Sequence, residues 1–212
     1  MNYLEIINKC LIELNYKQVN AFSELTKNDH KKLKNIINLI NSEVCSSDKW
    51  DFLLRKKNIV LPKSSGELEN TIDGKINSLM IDGVRFGYYS DYTKFFANSQ
   101  PPNTYSLFND EILLPIFSQD KNVKILYYTK NCAKNPDGEE KLQLQSENDA
   151  SLIPFPFVEP ILVYGACMRL KGNPQHERFN YWYSMYKDAL ANLKSRVSKT
   201  VEDTPVIKLS RC

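Results

Sequence analysis

The sequence predicts an α+β fold: a four-helix α-helical bundle, an antiparallel β insertion between its second and third helices, and an extended C-terminal tail. Three observations predict it. Apolar residues recur at helical spacing near both ends of the chain. The middle loses that period and breaks into short alternating runs between turn signals. Gly172-Asn173-Pro174 divides two late helical stretches. The expected layout is a helical bundle over 1–50 and 150–198, a β-rich insertion over 51–149 and a tail over 199–212.

The first helix is expected over residues 3–14, where Leu4, Ile7, Leu11 and Leu14 share a face. A second follows Thr26, a candidate N-cap with Asp29 three residues on. Its buried stripe is Leu33, Ile36, Ile37, Ile40 and Val44. Lys27, Lys31, Lys32 and Lys34 crowd its first turns, where they oppose the helix dipole. They read as a solvated face or as a contact for an acidic partner or a phosphate backbone.

From Trp50 the pattern changes. Strand-like runs lie near residues 59–62, 75–81, 105–108, 111–116 and 123–129, punctuated by Asp73-Gly74, Asp82-Gly83, Pro101-Pro102 and Asn135-Pro136-Asp137-Gly138. Asn109-Asp110 separates two runs by two residues, a tight-hairpin signal. Pro154 and Pro156 set an extended entry to a third helix, in which Gly165 and Ala166 permit close helix approach. Gly172 suits a left-handed C-cap, Asn173 an N-cap and Pro174 a first helical turn, so the third and fourth helices are expected to form an αα-hairpin. Phe179, Trp182, Tyr183, Tyr186, Leu190, Leu193 and Val197 stripe the last helix. Thr204 to Leu209 lacks helical period and reads as an added strand or a frayed terminus.

Composition narrows the function. A net charge of +3 is too small for a dedicated nucleic-acid binder. The five cysteines are odd in number and widely spaced without a CxxC pair, so reduced thiols in a cytoplasm are expected. No basic segment followed by an apolar run opens the chain, and no stretch approaches ~20 apolar residues, so neither a signal peptide nor a membrane span is expected. The two histidines, His30 and His176, fall early in expected helices and read as exposed. Metal, P-loop, dinucleotide and nucleophile-elbow motifs are missing, and the acidic pairs read as turns or solvated segments. No catalytic, cofactor or metal residue is assigned, and a non-enzymatic protein is expected.

The order of these features resembles phage head-to-tail adaptor proteins. The match runs through Trp50-Asp51-Phe52, the hairpin pattern Pro102, Tyr105, Asn109, Asp110, Leu113 and Pro115, and Tyr127-Tyr128. It continues through Val163-Tyr164-Gly165-Ala166 and Gly172-Asn173-Pro174 to the Tyr- and Ala-rich last helix. The chain is similar to the tail tubular protein A-like, or gateway, adaptors of short-tailed phages; residues 70–98 match no part of the pattern. The resemblance implies a structural virion protein at the head–tail junction, synthesised in the host cytoplasm. Such a protein forms a homo-oligomeric ring, usually twelve-fold, that joins the portal to the tail. DNA crosses its channel during ejection without specific binding, and its partners are the portal protein, tail or further ring proteins and itself. Pro205, Val206, Ile207, Lys208 and Leu209 are then candidate portal contacts, and Trp182, Tyr183 and Tyr186 candidate subunit contacts. The rival readings are a DNA-binding packaging or regulatory module using the lysine-rich second helix, and a small enzyme with an unrecognised site.

Overall fold

A computed structural model describes residues 1–197. In chain order the helices are α1 (Tyr3–Glu13), α2 (Asn28–Ser46), α3 (Thr93–Phe96), α4 (Gly165–Lys171) and α5 (Phe179–Val197). The strands are β1 (Leu54–Leu61), β2 (Glu67–Glu69), β3 (Gly74–Ile81), β4 (Val84–Tyr88), β5 (Thr104–Phe108), β6 (Glu111–Leu113), β7 (Lys121–Thr129), β8 (Ala133–Lys134), β9 (Glu140–Lys141) and β10 (Ala150–Ser151). A four-helix bundle with a small β insertion is therefore the wrong description. A seven-stranded sheet, ordered β1-β7-β3-β4-β5-β6-β2, dominates the fold and is joined to five helices. The expectation failed because β2, β4 and α3 are too short to leave a periodic signal, and without them the sheet looks small.

The helical body forms from both halves of the described chain. Asn2 caps α1: its side chain accepts from Glu5 N at 2.8 Å while Glu5 Oε2 accepts from Asn2 N at 2.9 Å. Tyr3, Ile6, Ile7, Cys10 and Leu11 of α1 are fully buried. They pack in one core with Leu33, Ile37 and Ile40 of α2, Ile161 and Leu162, and Trp182 and Leu193 of α5. Each large aliphatic side chain there contributes roughly 1.5–3 kcal/mol. Leu162 and its neighbours lie on a π-helical turn, Pro160–Tyr164, that feeds α4.

Polar groups on α2 fasten the segment after the sheet to this core. Asn41 is fully buried; its Nδ2 donates to Cys132 O at 2.9 Å and its Oδ1 accepts from Ser151 Oγ at 2.6 Å. One turn earlier, Asn38 Nδ2 donates to Leu144 O at 2.9 Å and Asn38 Oδ1 accepts from Leu144 N at 2.9 Å. Cys132, Ala133 and Leu144 consequently belong to the helical core, and the small sheet β10-β8-β9 lies against the helices.

Two local expectations for the helices are corrected. Lys27, not Thr26, is the N-cap of α2, and it makes no side-chain cap; Asp29 instead accepts from Tyr16 Oη at 3.1 Å. Gly172 does adopt the left-handed conformation (φ 57°) that ends α4. Yet Asn173 and Pro174 do not start α5, which begins only at Phe179. Asn173 Oδ1 accepts from Gln175 N at 3.0 Å, closing a local turn inside a longer joint.

The sheet has its own core, with Leu61, Leu68, Leu79, Phe86, Ile112, Val123 and Ile125 at its centre. β1 and β7 pair antiparallel from Leu54 opposite Tyr128 to Leu61 opposite Lys121. Asn109 and Asp110 (φ 44° and 61°) form the two-residue turn between β5 and β6, and Asp82 and Gly83 (φ 47° and 87°) form the one between β3 and β4. The sheet curls so that its two edges approach. Lys57 Nζ on β1 donates to Thr71 O at 3.0 Å and Thr71 Oγ1 at 2.6 Å, just beyond β2.

Gly74 sets how closely β3 approaches β7, since a Cβ there would stand 2.0 Å from Tyr128 O. Gly74→Ala is expected to lower unfolding free energy by about 2–4 kcal/mol, a large single-site effect of the backbone-strain kind. Urea titration followed by circular dichroism measures it.

Candidate interaction surface

The residues singled out on the last helix separate into two kinds. Trp182 is fully buried within its own chain: His176 stacks on it at 5.2 Å and its Nε1 donates to Glu13 Oε2 at 3.1 Å. Its indole is a core anchor and offers nothing to a neighbouring subunit. Tyr186 is half-buried over Gly165, where an added Cβ would meet its ring at 2.9 Å. The small residue at 165 thus makes room for Tyr186 between α4 and α5, and burial pushes the Tyr186 phenol above its ordinary range. Tyr183 is exposed and stacks on Phe179 with ring centres 6.5 Å apart. Of the three aromatic candidates it alone is exposed. The residues 205–209 lie outside the described residues.

More apolar area is exposed elsewhere on the helical body, with Tyr181 and Met185 on the side of α5 away from Tyr183. Phe155 is 85% exposed, and Tyr181 and Met185 are also exposed. Tyr181 packs edge-on against Tyr164, and their hydroxyls meet at 3.4 Å. That hydrogen bond, with burial, holds the Tyr164 phenol above its ordinary range. A groove of ≈ 300 Å³ runs between the Pro156–Pro160 segment and α5, lined by Phe157, Met185 and Ala189 and ending at Arg196. The apolar period identified α5, but it could not show which side of the helix the π-helical turn would leave open.

The second surface lies on the sheet body, in the stretch the sequence left unread. Tyr92 and Phe96 on and beside α3 meet Phe108 of β5, with ring centres 4.7 Å and 5.5 Å from it. Phe96 is 53% exposed. α3 turns one face inward through Phe95, which is buried, and leaves Phe96 at the surface. Only the Tyr-x-x-x-Phe spacing of 92 and 96 hinted at this cluster.

The remaining candidates are placed as follows. His30 is buried and His176 is half-buried against Trp182, so neither is the exposed residue expected. Lys27, Lys31 and Lys32 are exposed, while Lys34 Nζ sits 4.1 Å above the Phe22 ring. That contact gives one of the four lysines a role inside the chain. Cys10, Cys45, Cys132 and Cys167 are free and buried. Burial raises the Cys10 thiol well above its usual range, which keeps it protonated and unreactive. Among the described residues no group of three or more His, Cys, Asp or Glu is placed to hold a metal ion, and no helix is long and apolar enough to cross a membrane.

No protein-family model matches the chain, and no curated protein matches it. The surfaces therefore rest on their own chemistry: exposed aromatic area, separated onto two cores.

Two predictions follow from this geometry. Trp182→Ala is expected to cost about 3–5 kcal/mol of stability as a buried aromatic. Tyr183→Ala, at an exposed position, is expected to stay within about 0.5 kcal/mol of the unmodified protein. Thermal and urea melts of the two variants separate a core role from a surface role. The second concerns the Arg169–Glu43 pair, bonded at 3.0 and 2.5 Å between α4 and α2. The Arg169 hydrogen bonds hold the Glu43 carboxyl below its ordinary 4.5, so its contribution is full above that value and is lost as pH falls through the lowered one. Both partners are substantially exposed, so Glu43→Gln is expected to cost less than about 1 kcal/mol at neutral pH, fading to nothing in acid. Melts across pH measure the difference.

Proposed function

We propose that the chain is a non-enzymatic structural subunit of a phage head–tail junction, one copy in a ring that joins the portal to the tail and continues the DNA channel. The observation that carries this reading is exposed large apolar side chains on each of two separate cores of one chain. Phe155, Tyr181, Tyr183 and Met185 stand on the helical body, and Tyr92 and Phe96, packed on the half-buried Phe108, on the sheet body. A protein that joins two others needs a distinct surface for each, and apolar area concentrated in patches is characteristic of contact sites.

In this reading the helical body meets the portal. Its groove beside α5 ends at Arg196. The sheet body faces the tail or a further ring. The near-neutral charge suits a channel wall, because a strongly basic one would hold the DNA by its phosphates.

Mixing the purified full chain with portal rings and imaging by negative-stain electron microscopy tests the reading. The expected result is an added layer of density at one end of each portal. Met185→Asp, which places a charge in the α5 groove, is expected to reduce occupancy at least about tenfold, as for a contact near the centre of an interface. Portals that stay bare at saturating protein overturn the proposal.

A further inference from the structure

The outer face of the sheet carries an arrangement that becomes visible only once the strands are in register. On this face Asn58 of β1 stands opposite Lys124 of β7, Lys124 opposite Met80 of β3, and Met80 opposite Arg85 of β4. Lys56 of β1 lies diagonally beside Lys124, one outward position along the strand. Lys56, Lys124 and Arg85 are exposed, and none has an ion pair or side-chain hydrogen bond among the described residues. Adjacent strands lie about 4.8 Å apart, so Lys124 and Arg85 are held within about 10 Å of each other, roughly one Debye length. Lys56 and Lys124 line a groove of ≈ 370 Å³ floored by Met80. The carboxylate on that rim, Asp82, is already held by Lys121 Nζ at 2.9 Å. This face is a concave cationic surface with an apolar centre.

At the other edge of the same sheet the signs reverse. Glu69 of β2 stands directly opposite Glu111 of β6, and Glu111 opposite Phe108 of β5. Glu67 projects from the same side of β2, one outward position away. No cation of the described chain pairs with Glu67, Glu69 or Glu111. Like charges directly opposite each other on a sheet destabilise it. The exposed Phe96 ring, packed on the half-buried Phe108, adjoins this acidic row.

We infer that these two faces are the two halves of one subunit contact: the Lys56–Lys124–Arg85 face of one copy receives the Glu67–Glu69–Glu111 edge of the next. Charge complementarity selects a second copy of this chain as the occupant. Each face is unneutralised within its own chain, and each has an apolar side chain beside its charges, Met80 on one and Phe96 on the other. The contact joins two different patches, so it is head-to-tail and propagates from copy to copy, closing into a ring when the rotation per subunit allows. It also relieves the Glu69–Glu111 repulsion that an isolated subunit carries. The inference rests on the ring reading for its biological setting, but it specifies the contact within the ring.

Charge exchange tests it on the full chain, with circular dichroism to establish that each variant folds. Sedimentation velocity follows self-association over a concentration series, alone and with portal rings present. Lys124→Glu with Arg85→Glu, and separately Glu69→Lys with Glu111→Lys, are each expected to weaken self-association by more than about tenfold, since like charges are then juxtaposed. Mixing the two double variants is expected to restore association, because each supplies the face the other lacks. Raising salt from about 0.05 to about 0.5 M is expected to weaken the unmodified protein's association as screening grows. Association that both double variants retain overturns the inference and leaves the ring reading standing. Charge-sensitive self-association without portal decoration supports the inference and overturns the portal reading. A protein that stays monomeric alone and with portals overturns both. Duplex DNA binding lost on Lys124→Glu with Arg85→Glu, with self-association unchanged, reassigns the cationic face to nucleic acid and overturns the inference.

Discussion

A buried asparagine and a half-buried one, a turn apart on α2, hold the helical body together. Asn38 and Asn41 bond the backbone of Cys132 and Leu144, and Asn41 also accepts from the Ser151 hydroxyl. Buried backbone groups need partners, and this segment has too few strands of its own to supply them. The side chains of α2 act as the missing partner. Because they do, the chain that leaves the sheet is drawn back against the helices, Asn2 bridges Ala150, and Tyr3 N donates to Asp149 O at 2.8 Å at the start of α1. The helical core could not close around Cys132, Ala133 and Leu144 without this polar seam. Losing a partner would leave buried groups unsatisfied, at about 1–3 kcal/mol each.

The helical core that this seam closes and the separate core of the large sheet carry two kinds of surface chemistry. The helical body presents aromatic side chains and an apolar groove beside α5. The sheet body presents charge sorted by sign, cations on β1, β7 and β4 and carboxylates on β2 and β6, with aromatic rings beside the acidic row. Apolar area contributes affinity with little regard to direction, whereas fixed charges contribute register and partner choice. A net charge of +3 conceals this sorting entirely, because cations and anions on different strands cancel in the sum.

The legible parts of the sequence were those written in local signals. Helical period located α1, α2 and α5, and the Asn-Asp and Asp-Gly pairs located the two tight turns. Gly172 was recognisable as a helix terminator for the same reason. Misreadings arose wherever a distant partner decided the outcome. Thr26 had the right chemistry for a cap, but α2 starts at Asn28 while Asp29 bonds Tyr16. Trp182 carried the interface signature of a large amphipathic aromatic, yet Glu13 and His176 enclose it. β2 and β4 owe their existence to β6 and β3, and neither is long enough to announce itself. The charged rows were invisible because Lys56, Arg85 and Lys124 become neighbours only through strand pairing.

The first strand of the sheet body enters opposite the last strand to leave it, with Leu54 across from Tyr128. Entry and exit are thus a single antiparallel doorway, and the helices meet the sheet through little more than its two posts. Evolution can lengthen, shorten or exchange everything beyond that doorway while the scaffold that frames it keeps its sequence constraints.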